Sequence, residues 1–113
     1  MKKRITIKYK KRRIKIIAEN CNIFEKFVGL MFSRRQKAKI LLFHFKKKQK
    51  IPIHSFFVFY PFLAVWTDKK NKVVGLKLVR PFTFCIASRK FAFNLVEIPI
   101  NSAHRRCLER FKY

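Results

Sequence analysis

The chain is short of glycine and of negative charge: 113 residues include two glycines, Gly29 and Gly75, and five acidic side chains, Glu19, Glu25, Asp68, Glu97 and Glu109. Two isolated glycines cannot build a phosphate-cradling glycine loop or a G-x-S-x-G nucleophile elbow. The three cysteines, Cys21, Cys85 and Cys107, are odd in number and far apart. Without C-x-x-C spacing they indicate neither a disulfide framework nor a zinc cluster, and they read as reduced, mostly buried thiols. His44, His54 and His104 lack the close His/Glu/Asp spacing of a metal site. No apolar h-region follows the basic N-terminus, so a secretory signal is not expected and the predicted location is cytoplasmic. A membrane-spanning helix needs roughly 20 apolar residues. The longest nearly uncharged run, Ile51 to Asp68, carries Pro52 and Pro61 with His54 and Ser55 between them. Proline breaks helices, so no transmembrane span is expected. These shortages predict no enzyme chemistry, no cofactor and no bound metal.

What the chain has is cation and phenylalanine. Lysine and arginine number 29, giving a formal net charge of +24, while half of the residues are hydrophobic and 14 are phenylalanine. So much apolar material predicts a packed core rather than a disordered tail, and the length fits one domain spanning residues 1–113. Self-repulsion at this charge destabilises a compact state unless anions screen it. A/T-rich coding would enrich Lys, Ile, Phe and Asn together, but it would raise Glu too, and Glu is scarce. The acid deficit favours a basic surface with a polyanionic partner.

Along the chain, Ile5, Ile7 and Tyr9 alternate with polar residues, and Ile14 and Ile16 resume the alternation after Lys10 to Arg13. This is the period of half-buried strands, and it predicts a hairpin over 4–9 and 13–17 whose tip is the KKRR cluster. Asn22 and Glu25 have the spacing of a helix start, predicting a short helix near 23–28 that Gly29 ends. The run 40–45 predicts a strand, with His44 as a satisfied core histidine, and Lys46 to Lys50 a charged loop. Aromatic and branched residues favour strands, so the proline-hinged run predicts strands at 54–59 and 62–67, joined by a turn at 68–71 to a strand at 73–79. Further strands follow at 82–86 and 92–98. Many short strands with one brief helix predict an all-β fold, a jelly-roll-like antiparallel sandwich or a partly open barrel. Leu30, Phe32, Phe43, Phe45, Val65 and Leu76 are expected to be buried together.

GLMF at Gly29 to Phe32, ILLFHF at Ile40 to Phe45, the aromatic strand ending at Asp68, VVGLKLV at Val73 to Val79, Pro81 and LVEIP at Leu95 to Pro99 follow one another in an order that resembles the family called domain of unknown function 192. The resemblance covers about residues 5–101. It implies a compact, mostly antiparallel, jelly-roll-like β fold with one short helix before the GLM motif, and no established activity. The chain departs from the family where His54 to Val58 replace a polar segment, where Leu63 replaces an aspartate, and at Asn101, where glycine is usual. The tail 102–113 lies outside the resemblance and has the composition of a short basic helix.

Two functions of different classes follow. The first is sequence-tolerant binding of RNA or DNA through phosphate contacts, with Lys8, Lys10, Lys11, Arg12, Arg13, Arg34, Arg35, Lys46, Lys47, Lys48, Lys50, Arg105 and Arg106 as the contact residues. Surface aromatics among the lysines would add base stacking. An anionic membrane surface is a lesser partner for the same charges. The second is a non-catalytic protein-interaction or small-ligand-binding β domain whose pocket lies near the aromatic stretch. Glu97, between Val96 and Ile98, is the carboxylate to follow, and pairing with a lysine or arginine is its expected state.

Overall fold

Isoleucine alternating with charge sets the first element. In the computed structural model, which describes residues 2–21, 30, 33–53, 55, 58–83 and 86–111, strand β1 is Lys2–Tyr9, with Ile7 fully buried, and it pairs antiparallel with β2, Arg12–Asn20. Lys10 and Lys11 form the connecting turn at φ of 45° and 64°. Both take the left-handed conformation that the right-handed twist of a two-residue hairpin demands and that asparagine and glycine usually supply. The remaining strands are β3 (Leu41–Gln49), β4 (Pro52–Ile53), β5 (Phe62–Thr67), β6 (Val73–Val79), β7 (Ile86–Ala87) and β8 (Ala92–Pro99).

Six strands form one sheet in the order β1-β2-β3-β8-β5-β6, antiparallel except for β2 beside β3. The sheet curls until its two edge strands touch: the Lys8 N–H donates to the Asn71 carbonyl at 2.8 Å, and Lys8 bridges Lys72. The result is a partly open barrel. β4 and β7 form a separate two-stranded ribbon.

All six residues of β5 are buried, because both faces of the sheet are covered. Leu63 and Val65 point inward to Ile7, Ile14, Ile16, Val96 and Ile98, while Phe62, Ala64 and Trp66 point outward to Phe43, Leu95 and the covering residues Leu30, Ile51, Val58 and Tyr60. The expected single core is therefore two. Leu30 and Phe43, with Phe45 at the margin, belong to the outer one, and Val65 with Leu76 to the inner. On β6, Gly75 faces Trp66, and a Cβ there would lie 3.1 Å from the indole Cε3 and 3.1 Å from Ser88 Cβ. Any side chain there would crowd the indole and Ser88 by a few tenths of an ångström. The Trp66 Nε1–H donates to the Ile51 carbonyl at 2.9 Å, fixing the covering segment over it.

Three expectations need correction. Lys46 to Lys48 lie within β3, not in a loop: between the pairs His44–Asn94 and Gln49–Ala92 the chain advances five residues along β3 and two along β8, so the surplus bulges out. Of the strand expected at 54–59 the described residues 55, 58 and 59 are not in strand, and β4 lies just before it; at 82–86 Phe82 falls in a turn with Pro81, and of the described residues there only Ile86 is in strand, at the start of β7. His44 is exposed, its Nδ1 2.7 Å from Asn94 Oδ1, rather than in the core. The helix expected over 23–28, Phe32, His54 and Cys85 lie outside the described residues.

Phe43 is 2 % exposed at the centre of the outer core, so Phe43→Ala should cost roughly 3–5 kcal/mol, read as a lowered urea midpoint. Thr67 is buried and its hydroxyl has no hydrogen-bond partner among the described residues. An orphaned buried hydroxyl is unfavourable by about 1–3 kcal/mol, so Thr67→Val should raise the melting temperature.

Candidate nucleic-acid interface

The β2–β3 ladder contains only the pairs Glu19–Leu41 and Asn20–Leu42. From Arg12 to Ala18, β2 has β1 on one side and, among the described residues, no strand on the other. Helix α1, Arg105–Phe111, packs against this free edge, the usual protection of an exposed strand. Asn101 starts it: the Asn101 side chain accepts from the His104 N–H at 3.1 Å and donates to the Arg35 carbonyl at 2.7 Å, and a 3-10 turn, Ser102–His104, leads into the helix. Leu108 and Phe111 enter the inner core. Arg106 and Arg110, four residues apart on the opposite side, stay in solvent.

Between β2 and α1 runs an open cleft of about 700 Å³, lined by Arg13, Lys15, Ile17, His104, Arg106 and Arg110. A smaller one of about 460 Å³, lined by Arg4, Thr6 and Lys15, shares Lys15 and Ile17 with it. The N–H groups of Glu19 and Cys21 donate toward β3, to the carbonyls of Ile40 and Leu42 at 2.8 and 2.9 Å. The same alternation directs those of Arg13, Lys15 and Ile17 into the larger cleft. Among the described residues no carboxylate lines either cleft: Glu19 pairs with Lys39 at 3.4 Å, Glu109 with Arg105 at 3.2 Å, and Asp68 accepts from the N–H groups of Lys70 and Lys72 in its own turn. Cys107 also borders the cleft. Burial pushes its thiol up to about 11 against the opposing pull of Arg110, so it is a poor nucleophile.

The expected contact residues divide among these features. Lys8 and Arg13 stand opposite each other on the hairpin. Lys10, Lys11 and Arg12 occupy its tip, where the Lys10 Nζ lies 5.3 Å above the Tyr9 ring, itself 5.7 Å from Phe111 of α1. The tip and the helix end are thus neighbours. Arg106 borders the large cleft, but Arg105 is engaged by Glu109. Arg34 is exposed, whereas the Arg35 Nε–H donates to the Ile100 carbonyl at 2.8 Å and so holds its loop to the end of β8. Lys46, Lys47, Lys48 and Lys50 are exposed on and beyond β3 and line neither cleft. Arg4, Lys15 and Arg110 were missing from the expected set. Lys15 and Arg4 sit inside alternating strands, where each resembles an ordinary solvent-facing residue, and only the i,i+4 spacing from Arg106 pointed to Arg110.

Glu97 was expected to pair with a lysine or arginine. It is 6 % exposed on the outer-core face, between Leu41 of β3 and Ala64 of β5, and among the described residues no lysine or arginine pairs with it. Burial pushes its carboxyl up to about 8. Tyr60, whose hydroxyl is hydrogen-bonded to that of Ser33, is also raised by burial, with the Glu97 charge adding to the shift.

No family model matches the chain, and no curated protein sequence matches it significantly. Two solved structures share its fold. A Sinorhizobium meliloti 1021 protein, provisionally described as a transcription regulator, superposes with a TM-score of 0.77 at 19 % identity, covering 94 % of this chain and 85 % of its own. A protein of unknown function from Novosphingobium aromaticivorans DSM 12444 gives 0.73 at 14 %, covering 94 % and 78 %. At these identities the likeness establishes the all-β fold alone. Among the described residues no helix is long and apolar enough to cross a membrane.

The Glu97 carboxyl binds its proton more tightly folded than unfolded, so stability should fall as pH rises from about 4.5 to about 8 and level off above. The loss attributable to this group is on the order of 5 kcal/mol. Urea midpoints at the two ends of that range should differ in the wild type, and Glu97→Gln should remove most of the difference.

Proposed function

We propose that this chain binds nucleic acid with little sequence preference, through phosphate contacts centred on the cleft between β2 and α1. The observation that carries the reading is the convergence of Arg13, Lys15, Arg106 and Arg110 around one groove that no described carboxylate borders. Guanidinium groups match phosphate geometry in a bidentate way, and strand-edge N–H groups directed into the same groove add neutral donors. The hairpin tip, next to the helix end, extends the basic track to Lys10, Lys11 and Arg12. Lys46 to Lys50 form a second patch. The provisional description of the Sinorhizobium meliloti structure as a transcription regulator agrees with this reading. Membership in domain of unknown function 192 is proposed on the motif order, and it adds no activity.

The test is a titration with single-stranded RNA and duplex DNA across salt. Six to ten phosphate contacts would lower affinity roughly 10³- to 10⁵-fold between 50 and 200 mM salt. Neutralising Arg13, Lys15, Arg106 and Arg110 to glutamine together should reduce the log–log salt slope by about 3 to 4 units, whereas a matched quadruple variant at Lys46, Lys47, Lys48 and Lys50 should change it less. A dissociation constant weaker than about 10⁻⁴ M even at low salt would refute the proposal and move the weight to a ligand-binding or interaction domain.

A further inference from the structure

Phe82 adopts φ of 59°, the left-handed region, and is 53 % exposed. It occupies the third position of the turn Arg80–Thr83, after Pro81, where a positive φ ordinarily calls for glycine. A bulky residue there is a strained outlier that the surroundings must hold in place. Ser55, fully buried, does the holding. Its N–H donates to the Thr83 carbonyl at 2.9 Å and its hydroxyl to the Arg80 carbonyl at 2.6 Å, its carbonyl accepts from the Phe82 N–H at 2.9 Å, and its hydroxyl accepts from the Thr83 N–H. The clamped turn sets the Phe82 ring against Phe59, itself 63 % exposed, with centroids 5.4 Å apart and planes at 76°. Phe82 belongs to neither core cluster of the described residues, so glycine at 82 would relieve the backbone and leave both cores in place.

We infer that Phe59 and Phe82 form a rigid platform on which bases of a single-stranded nucleic acid stack. This rests on the nucleic-acid reading above and assigns it a strand type. A fixed ring suits a partner of fixed geometry, because little ordering remains to be done on binding, whereas fluid acyl chains gain nothing from orientation. The charge around it suits a phosphate backbone. No acidic residue occurs from Lys26 to Thr67 or from Lys69 to Val96. Arg80 is exposed in the same turn. Base–aromatic stacking is tolerant of sequence and available only where bases are unpaired.

The experiment compares full-length wild type, Phe82→Gly, Phe59→Ala/Phe82→Gly and Phe59→Tyr against a short labelled oligouridylate, a duplex DNA of equal length and phosphatidylserine vesicles. Phe82→Gly should hold or raise the urea midpoint, since it removes the strained side chain. The double variant should lose about 5- to 150-fold in affinity for the single strand, with duplex affinity and the salt slope unchanged, and Phe59→Tyr should bind as wild type. A 2-aminopurine reporter in the strand should be quenched by wild type and not by the double variant. Unchanged single-strand affinity in a folded double variant would overturn the platform while leaving phosphate binding intact. Wild type that binds neither nucleic acid would overturn both readings. Loss of vesicle binding with oligouridylate affinity retained would overturn the platform in favour of a membrane contact.

Discussion

Burial of β5 on both faces is the constraint from which the rest of the structure follows. A strand reading Phe-Leu-Ala-Val-Trp-Thr has no polar side to offer water, so the sheet around it must be covered twice. Curling satisfies one face, by bringing Ile7, Ile14 and Ile16 of the hairpin across to Leu63 and Val65, with Leu108 and Phe111 closing the open side. The other face needs a separate cover, built from Leu30, Ile51, Val58, Tyr60 and the β4–β7 ribbon and anchored by the indole hydrogen bond to Ile51. Gly75 is the corollary, because a two-sided core that includes a tryptophan leaves little room for a side chain opposite it.

The same constraint sorts the charge. With alternate residues of the hairpin and nearly all of β5 and β8 committed to the two cores, cations are left to hairpin faces, turns, the β3 bulge and the outer side of α1. Their like-signed neighbours, such as Lys8 opposite Arg13, repel one another in the unliganded chain. The basic surface thus stores unfavourable electrostatic energy that a bound polyanion would relieve.

Much of this was legible in the sequence. The spans of β5 and β6 follow directly from where the apolar alternation starts and where Asp68 and Asn71 interrupt it, and the tail composition anticipated α1. Other features were hidden for identifiable reasons. Lys10 and Lys11 carry no hint that they would accept positive φ, since that conformation is imposed by the strands they join. The lysines of β3 look like a loop because composition cannot distinguish a bulge from one. Glu97 looked like half of an ion pair, but its neighbours across the sheet are Leu41 and Ala64, a fact of register that one strand cannot reveal. The cleft itself was unreadable, because it exists only where a strand edge left bare by a two-residue ladder meets a helix some ninety residues later in the chain.

That short ladder has a mechanical consequence. Among the described residues the backbone pairing of the hairpin to the rest of the sheet is confined to two residue pairs at one seam and the Lys8 contacts at the other, so its attachment rests chiefly on Ile7, Ile14, Ile16 and Ala18 in the inner core. One wall of the groove belongs to the hairpin and the other to α1. A polyanion touching both walls is therefore a strap across the seam, and by linkage it stabilises the closed chain in proportion to its own affinity.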